Sequence, residues 1–155
     1  MMFKMELSEQ RAQPVLSIRK RTTAQALSDV IGACYMKILD YMNELGEKPA
    51  DAPFTAYYNL DMQDLDVEMG FPVSKSWPEK GEIKAGEIPA GKVVSCVYKG
   101  AYAGMEQPYN EMFKWIADNG YEQTGTYYEY YYNSPADVPE NELLTKIVMP
   151  LKNYR

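Results

Sequence analysis

The sequence predicts an α+β fold made of two copies of a strand–helix–strand–strand unit. Two segments carry apolar residues at helical spacings of three and four, and runs rich in β-branched and aromatic residues flank each of them. The two halves of the chain can also be overlaid. A shift of 74 residues pairs Gly46 with Gly120 and 57–59 (Tyr-Tyr-Asn) with 131–133, which have the same sequence. This self-similarity indicates an internal duplication.

The first copy spans about residues 13–74. Pro14 opens a strand over 13–21, and a helix follows with its apolar stripe between Leu27 and Leu45. Gly46 ends that helix, because glycine is the usual residue at a helix C-terminus. Two extended segments, 54–59 and 65–73, complete the unit.

A connector of about 75–89 separates the copies, because glycine and proline interrupt it repeatedly. Within it, 83–88 could still pair as a strand. Trp77 has two interpretations here, either as a lid over a binding site or as an anchor for a loose segment.

The second copy spans about 90–152 and repeats the order of the first. It is predicted to contain a strand at 92–98, a helix from about 104 to 119, and strands at 127–133 and 143–151. A shift of 78 pairs 71–73 with 149–151, so the loop between its last two strands is four residues longer than in the first copy.

One such unit cannot bury its sheet alone, so we expect both copies to form a single domain over 1–155. Their strands would join into one antiparallel sheet with both helices on one face. A groove would then lie on the pseudo-two-fold axis, and grooves of this kind commonly hold ligands.

Composition excludes several functional classes. The 155 residues carry a formal charge of −6 and no histidine, which argues against nucleic-acid binding, His-based catalysis and most zinc sites. No ligand cluster predicts a metal and no phosphate-binding loop predicts a cofactor. Cys34 and Cys96 lie in apolar stretches, as expected of buried, reduced thiols in a cytoplasmic protein. No apolar run is long enough to span a membrane.

Tyrosine dominates the aromatic residues, with 14 tyrosines against four phenylalanines and two tryptophans. Because strand side chains alternate, Glu129 should share a face with Tyr127 and Tyr131. A carboxylate flanked by tyrosines suits a cationic ligand, whose flat parts would stack on the rings. The alternative is that Glu129 is an ordinary surface acid on a solvent-exposed face.

Four more residues are candidates for the same groove. Tyr57 corresponds to Tyr131 in the other copy, and Tyr102 follows a Gly-Ala turn. Glu68 should, like Glu129, point away from the helices and would add negative charge to the groove. The default explanation for Glu68 is the alternation of polar residues on a half-exposed sheet. Trp115 follows the helix stripe imperfectly and is a ligand platform or an edge of the core.

The chain resembles the GyrI-like family, the effector-binding domain of bacterial transcription activators. The resemblance is carried by 98–102 (Tyr-Lys-Gly-Ala-Tyr), Tyr109, 115–116 (Trp-Ile), Gly120, Glu129, Tyr131, Asn133, Pro135, 142–145 (Glu-Leu-Leu-Thr), 149–151 (Met-Pro-Leu), and more loosely by 66–68 and 71–73. It implies a duplicated fold with a central groove that binds hydrophobic, often cationic, small molecules. It also implies that Glu129 lies in that groove and meets the ligand.

The resemblance leaves three functions open. The preferred one is a stand-alone module that senses or sequesters aromatic or cationic compounds. We expect it to stand alone because no helix-turn-helix motif precedes residue 13. The second is a hydrolase of strained, cyclopropane-bearing toxins that uses Glu129 to activate water. The third is a protein-interaction role of the kind found in gyrase inhibitors. The oligomeric state and the identity of the ligand do not follow from the sequence.

Overall fold

The structure is a computed structural model and describes residues 3–152. Its contacts divide the chain into two compact units, an N-terminal unit of residues 12–89 and a C-terminal unit of 3–11 with 90–152. In the described part of the chain, the strands and helices are β1 (Glu6–Gln10), β2 (Gln13–Thr22), α1 (Leu27–Leu45), β3 (Phe54–Tyr57), β4 (Leu65–Pro72), β5 (Lys84–Ile88), β6 (Gly91–Lys99), α2 (Glu106–Asp118), β7 (Tyr127–Tyr131) and β8 (Leu144–Pro150).

The N-terminal unit is a four-stranded antiparallel sheet, ordered β3-β4-β2-β5, with α1 against one face. The ring of Tyr35 on α1 lies 5.2 Å from the ring of Phe71 on β4. Strand alternation therefore turns Met69 and Val67 toward the helix as well. Ile38 and Met42 complete this core from the helix side and are almost fully buried.

The C-terminal unit repeats this arrangement with strand order β1-β6-β8-β7 and helix α2. Met112 and Ile116 form the buried stripe of α2, as their spacing predicts. On the strands, Ile147 and Met149 are fully buried.

Equivalent asparagines close the last hairpin of each unit in the same way. Asn59 donates to the carbonyl of Asp64 (3.0 Å) and accepts from the amide of Asp66 (3.1 Å). Asn133 donates to the carbonyl of Glu142 (3.2 Å) and accepts from the amide of Leu144 (2.9 Å). The pairs differ by 74 residues at the asparagine and by 78 at its partners, which confirms that the second loop is four residues longer.

The helix ends are duplicated as well. Gly46 and Gly120 both follow a helix with positive φ values of 70° and 74°, a conformation that glycine adopts without strain. The α+β class and the duplicated unit predicted from the sequence are therefore confirmed.

The predicted elements match the observed ones to within a few residues at their ends, and the strand at 84–88 is present. Strand β1 is an addition that the sequence did not predict, because its residues, Glu-Leu-Ser-Glu-Gln, are mostly polar and exposed at a sheet edge. Both cysteines are buried and free, as expected. None of the helices in residues 3–152 is long and apolar enough to cross a membrane.

Candidate functional site

The most distinctive polar group of the C-terminal unit is the carboxylate of Glu129, in the middle of β7. The residue is buried, with 9% of its surface exposed. One carboxylate oxygen accepts a hydrogen bond from the hydroxyl of Tyr109 (2.5 Å) and the other accepts one from Tyr131 (2.7 Å). Glu129 is therefore an acid held inside the unit, and the interpretation of it as a surface residue is wrong.

The structure also corrects the face on which Glu129 lies. We expected the acid on the sheet face away from the helices, but its partner Tyr109 belongs to α2. Alternation along a strand shows which residues share a face, but not which face a helix will cover. Glu129 thus sits between β7 and the helix.

Aromatic rings surround this acid on the same side of the sheet. Tyr127 shares the face of Glu129 and meets two rings of α2, with centroids 6.1 Å from Tyr109 and 5.6 Å from Phe113. Both contacts are edge-to-face, a favourable geometry for aromatic pairs. The predicted grouping of Tyr127, Glu129 and Tyr131 on one face is confirmed by these contacts.

An open depression of about 450 Å³ adjoins this cluster. Tyr127 and Phe113 form one of its walls. The end of α2 and the segment after it supply the remaining lining, which consists of Ile116, Ala117, Tyr121, Glu122 and Gln123. Tyr127 and Phe113 are therefore the members of the aromatic cluster that this depression reaches.

Tyr102 reaches the same cluster from a short 3-10 turn at Tyr102–Gly104. Its ring lies edge-on to Tyr131 at 6.0 Å, and 42% of its surface is exposed. The turn is held by Tyr98, whose hydroxyl donates to the carbonyl of Ala101 (2.8 Å). Gly100 and Gly104 leave room for that hydroxyl, because a Cβ at either position would collide with it.

The electrostatics of the cluster favour the protonated form of two of its phenols, Tyr102 and Tyr127. Burial raises the pKa of Tyr102, and the nearby charge of Glu129 raises it further. Burial also raises the pKa of Tyr127, against a hydrogen bond to Gln123 that lowers it. Neutral phenols of this kind donate hydrogen bonds and offer ring faces to a cation.

The N-terminal unit contains a neutral version of the same contact. Tyr35 of α1 corresponds to Tyr109, and Thr55 of β3 corresponds to Glu129. The hydroxyls of Tyr35 and Thr55 are 3.1 Å apart, and Tyr35 also donates to the carbonyl of Phe54 (2.7 Å). The aligned positions of the two units therefore carry the acid in one unit only.

The other two predicted site residues of the N-terminal unit lie on opposite faces of its sheet. Tyr57 shares the helix-facing side with Thr55 and is buried. Glu68 points away from α1, as predicted, and accepts hydrogen bonds from Ser17 and Tyr58. These hydrogen bonds hold the Glu68 carboxylate on that face of the sheet.

The two tryptophans occupy peripheral positions. Trp115 of α2 stacks on Tyr121 with centroids 6.0 Å apart and planes inclined by 7°. Trp77 is half-buried beneath Lys75, whose ammonium lies 4.6 Å from the ring centroid. Trp77 is therefore packed down, which matches its interpretation as an anchor.

The sequence does not indicate Tyr109 as a site residue. Its spacing puts it on the apolar stripe of the helix, and helical spacing alone does not show which residue of another element it contacts. The available signal was the 74-residue shift, which pairs Tyr109 with another tyrosine, Tyr35.

In the described range 3–152, no group of three or more Cys, Asp or Glu side chains is placed to hold a metal ion.

Comparison with known proteins gives the class to which this fold and site belong. Residues 3–152 match the GyrI-like small molecule binding domain, and the chain belongs to that family. No match was found among curated protein sequences.

Many solved structures share the fold, and three of these proteins are described here. The isolated C-terminal domain of EcmrR is 24% identical, with a TM-score of 0.83 and coverage of 99% of this chain and 100% of that one. In the EcmrR–DNA complex the TM-score is 0.87, and this chain spans only 59% of the longer EcmrR chain. A hydrolase from Listeria innocua is 12% identical, with a TM-score of 0.73 and coverage of 96% of this chain and 92% of that one. SAV2435 bound to tetraphenylphosphonium is 12% identical, with a TM-score of 0.70 and coverage of 97% of this chain and 94% of that one.

Proposed function

We propose that this protein binds lipophilic aromatic cations and that Glu129 is the charged contact of the ligand. The observation that carries the proposal is the buried carboxylate itself, held by Tyr109 and Tyr131 inside an aromatic cluster. A buried charge is costly, so it is retained where it performs a task.

The surroundings of Glu129 favour one chemical class of ligand. A carboxylate attracts a cation, and the rings of Tyr127, Tyr131 and Tyr102 offer negative faces to the same charge. A cation with aromatic substituents would satisfy both preferences, because its rings can pack edge-to-face on the tyrosines. An anion of the same shape would be repelled by Glu129.

Proteins of the same fold support this assignment. SAV2435 is bound to tetraphenylphosphonium, a cation with four aromatic rings, and we extend that ligand class to this chain. EcmrR forms a DNA complex, and the part of it that this chain resembles is its C-terminal domain. Ligand sensing or sequestration is therefore the role that we propose here.

Titration calorimetry with two probes tests the proposal. Tetraphenylphosphonium supplies the charge, and neutral triphenylphosphine oxide supplies similar rings without it. A charge-assisted contact contributes about 1.5–3 kcal/mol, so Glu129→Gln should weaken phosphonium binding by roughly 10- to 100-fold. Binding of the neutral probe should change by less than about threefold.

The control variant is Glu106→Gln, which removes the same charge from the exposed start of α2. It should leave both affinities unchanged. Equal losses for both probes in Glu129→Gln would show that the acid is structural. No phosphonium binding to the wild-type protein at millimolar concentration would reject the proposal.

A second candidate function is hydrolysis of strained electrophiles in the same cluster. It is favoured by the position of Glu129, whose two phenol partners could orient a water molecule, and by the fold shared with the Listeria innocua hydrolase. Binding ranks first because a carboxylate with tyrosines and without histidine has few groups for sharing the proton transfers.

A further inference from the structure

The hydroxyl of Thr145 is one of two buried polar side-chain groups without a hydrogen-bond partner among residues 3–152; the other is the indole N–H of Trp77 in the other unit. Thr145 lies on β8 and is fully buried, with 0% of its surface exposed. Its Oγ1 has no hydrogen-bond partner among residues 3–152. A buried hydroxyl without a partner destabilises a protein, so its retention calls for a reason.

Packing does not supply that reason. A shift of 78 residues pairs Thr145 with Val67 of the N-terminal unit, which is also fully buried. Valine has nearly the same shape as threonine and carries no hydroxyl. The duplicated fold therefore fills this position with an apolar side chain in one unit and adds an unused hydroxyl in the other.

The register places Thr145 beside the acid site. It is directly opposite Tyr131 on β7, and Glu129 is opposite Ile147, two residues further along β8. Directly opposite residues share a face, and diagonal neighbours on that face are about 7–8 Å apart. Thr145 and Glu129 are thus two polar groups on the helix-facing side of one sheet, with the ring of Tyr131 next to both.

The hydroxyl is covered in this structure by its neighbours, so a ligand reaches it only if a side chain turns. Tyr131 is the candidate, because it is the last residue of β7, is only half-buried, and precedes the long loop that Asn133 closes. Rotation of the Tyr131 side chain about its first torsion angle would break its hydrogen bond to Glu129, whose carboxylate the cation would then meet, but it leaves the strand in place.

We infer that Thr145 is a second, neutral contact of the ligand site. The ligand would be an aromatic cation that also carries a hydrogen-bonding group, such as a hydroxyl or a carbonyl, about 7 Å from its charged centre. Glu129 would take the charge and Thr145 would take the neutral group. This inference rests on the proposed function and specifies its ligand class.

Two matched probes test it, butyltriphenylphosphonium and 4-hydroxybutyltriphenylphosphonium, which differ by one hydroxyl. A neutral hydrogen bond corresponds to a factor of roughly 2 to 12 in affinity, so the wild-type protein should prefer the hydroxylated probe by about that factor. Thr145→Val should abolish the preference and keep the affinity for the butyl probe within about twofold. Thr145→Ser should retain part of it.

The matched control is Val67→Thr, which adds a hydroxyl at the equivalent position of the other unit and should leave the preference unchanged. A thermal melt provides a separate readout, because loss of an unpaired buried hydroxyl should raise the Tm of ligand-free Thr145→Val by a few degrees. An unchanged or lower Tm would contradict the assignment of an unpaired hydroxyl.

The outcomes separate this inference from the proposed function. If the wild-type protein binds both probes equally, Thr145 is not a ligand contact, while the cation site stands. If Thr145→Val retains the preference, another group recognises the hydroxyl and the inference is wrong. If neither probe binds, the proposed function fails and this inference fails with it.

Discussion

The hydroxyl of Tyr109 lies 2.5 Å from a carboxylate oxygen of Glu129 and joins the first turn of α2 to the middle of β7. The same pair of positions in the N-terminal unit holds Tyr35 and Thr55, with 3.1 Å between their hydroxyls. The Tyr109 hydroxyl thus donates to a charged acceptor, whereas the Tyr35 hydroxyl donates to the neutral carbonyl of Phe54 and is left to accept from Thr55, so the two contacts should differ in strength.

Removing each tyrosine hydroxyl in turn measures that difference. Hydrogen bonds to a charged group contribute about 1.5–3 kcal/mol and neutral ones about 0.5–1.5 kcal/mol. Tyr109→Phe should therefore lower the free energy of unfolding more than Tyr35→Phe, as measured by urea denaturation. Equal losses would mean that the charge on Glu129 adds nothing to the contact.

Turnover measurements distinguish a binding protein from a hydrolase. We expect the wild-type protein to return a cyclopropane-bearing electrophile unchanged after long incubation, as judged by mass spectrometry. General-base assistance contributes a factor of about 10² to 10⁴ in rate. Turnover by the wild type that falls by such a factor in Glu129→Gln, with affinity retained, would establish the hydrolase instead.

The Tyr98 hydroxyl should make Gly104 intolerant of a side chain. A Cβ at this position would collide with that hydroxyl, so Gly104→Ala should destabilise the protein by about 1–3 kcal/mol. Adding Tyr98→Phe removes the colliding atom and should recover part of the loss. Gly32→Ala is the control, because nothing lies within 4 Å of a Cβ there and alanine favours a helix by about 0.5–1 kcal/mol.

Cys96 should make the protein less stable in alkaline solution. Burial raises the pKa of its thiol to about 11, whereas a cysteine in an unfolded chain has a pKa of about 8.5. Between these pH values the unfolded chain has lost the proton that the native thiol keeps, so the free energy of unfolding falls as pH rises. Urea midpoints from pH 8 to 11 should decline less steeply in Cys96→Ala than in the wild type.

Alkylation provides an independent check on the same thiols. Burial raises the pKa of Cys34 as well, and the thiolate is the reactive form. Iodoacetamide at pH 8 should therefore label neither cysteine in the native protein within the time that labels both in urea. Rapid native labelling would contradict the burial of these side chains.

Part of the site could be predicted from the sequence because strand alternation is a strict rule. The shared face of Tyr127, Glu129 and Tyr131 follows from spacing alone. The partner Tyr109 did not follow, because helical spacing defines a stripe without showing which strand residue each member meets. Glu129 was assigned to the wrong side of the sheet for the same reason.

The fold was predictable where the chain repeats itself. Gly46 and Gly120 mark equivalent helix ends, and the repeated Tyr-Tyr-Asn segments mark equivalent strands. Strand β1 takes the edge position in its unit that β5 takes in the other, but it lies outside the duplicated stretch of sequence and its residues are mostly polar and exposed, so neither duplication nor periodicity could indicate it. The unpaired hydroxyl of Thr145 likewise depends on which groups surround it in the folded chain, and no sequence pattern indicates them.

In each hairpin, an asparagine joins the two ends of the loop and so fixes the pairing register of the strands independently of the length of the loop. Tyr57 faces Val67 and Tyr131 faces Thr145 at the same point of the two copies, although the second loop is four residues longer. Insertions or deletions between Asn133 and Glu142 can therefore accumulate over evolution without displacing Glu129. Related chains can diversify the segment beside their binding residues while the geometry of those residues is inherited intact.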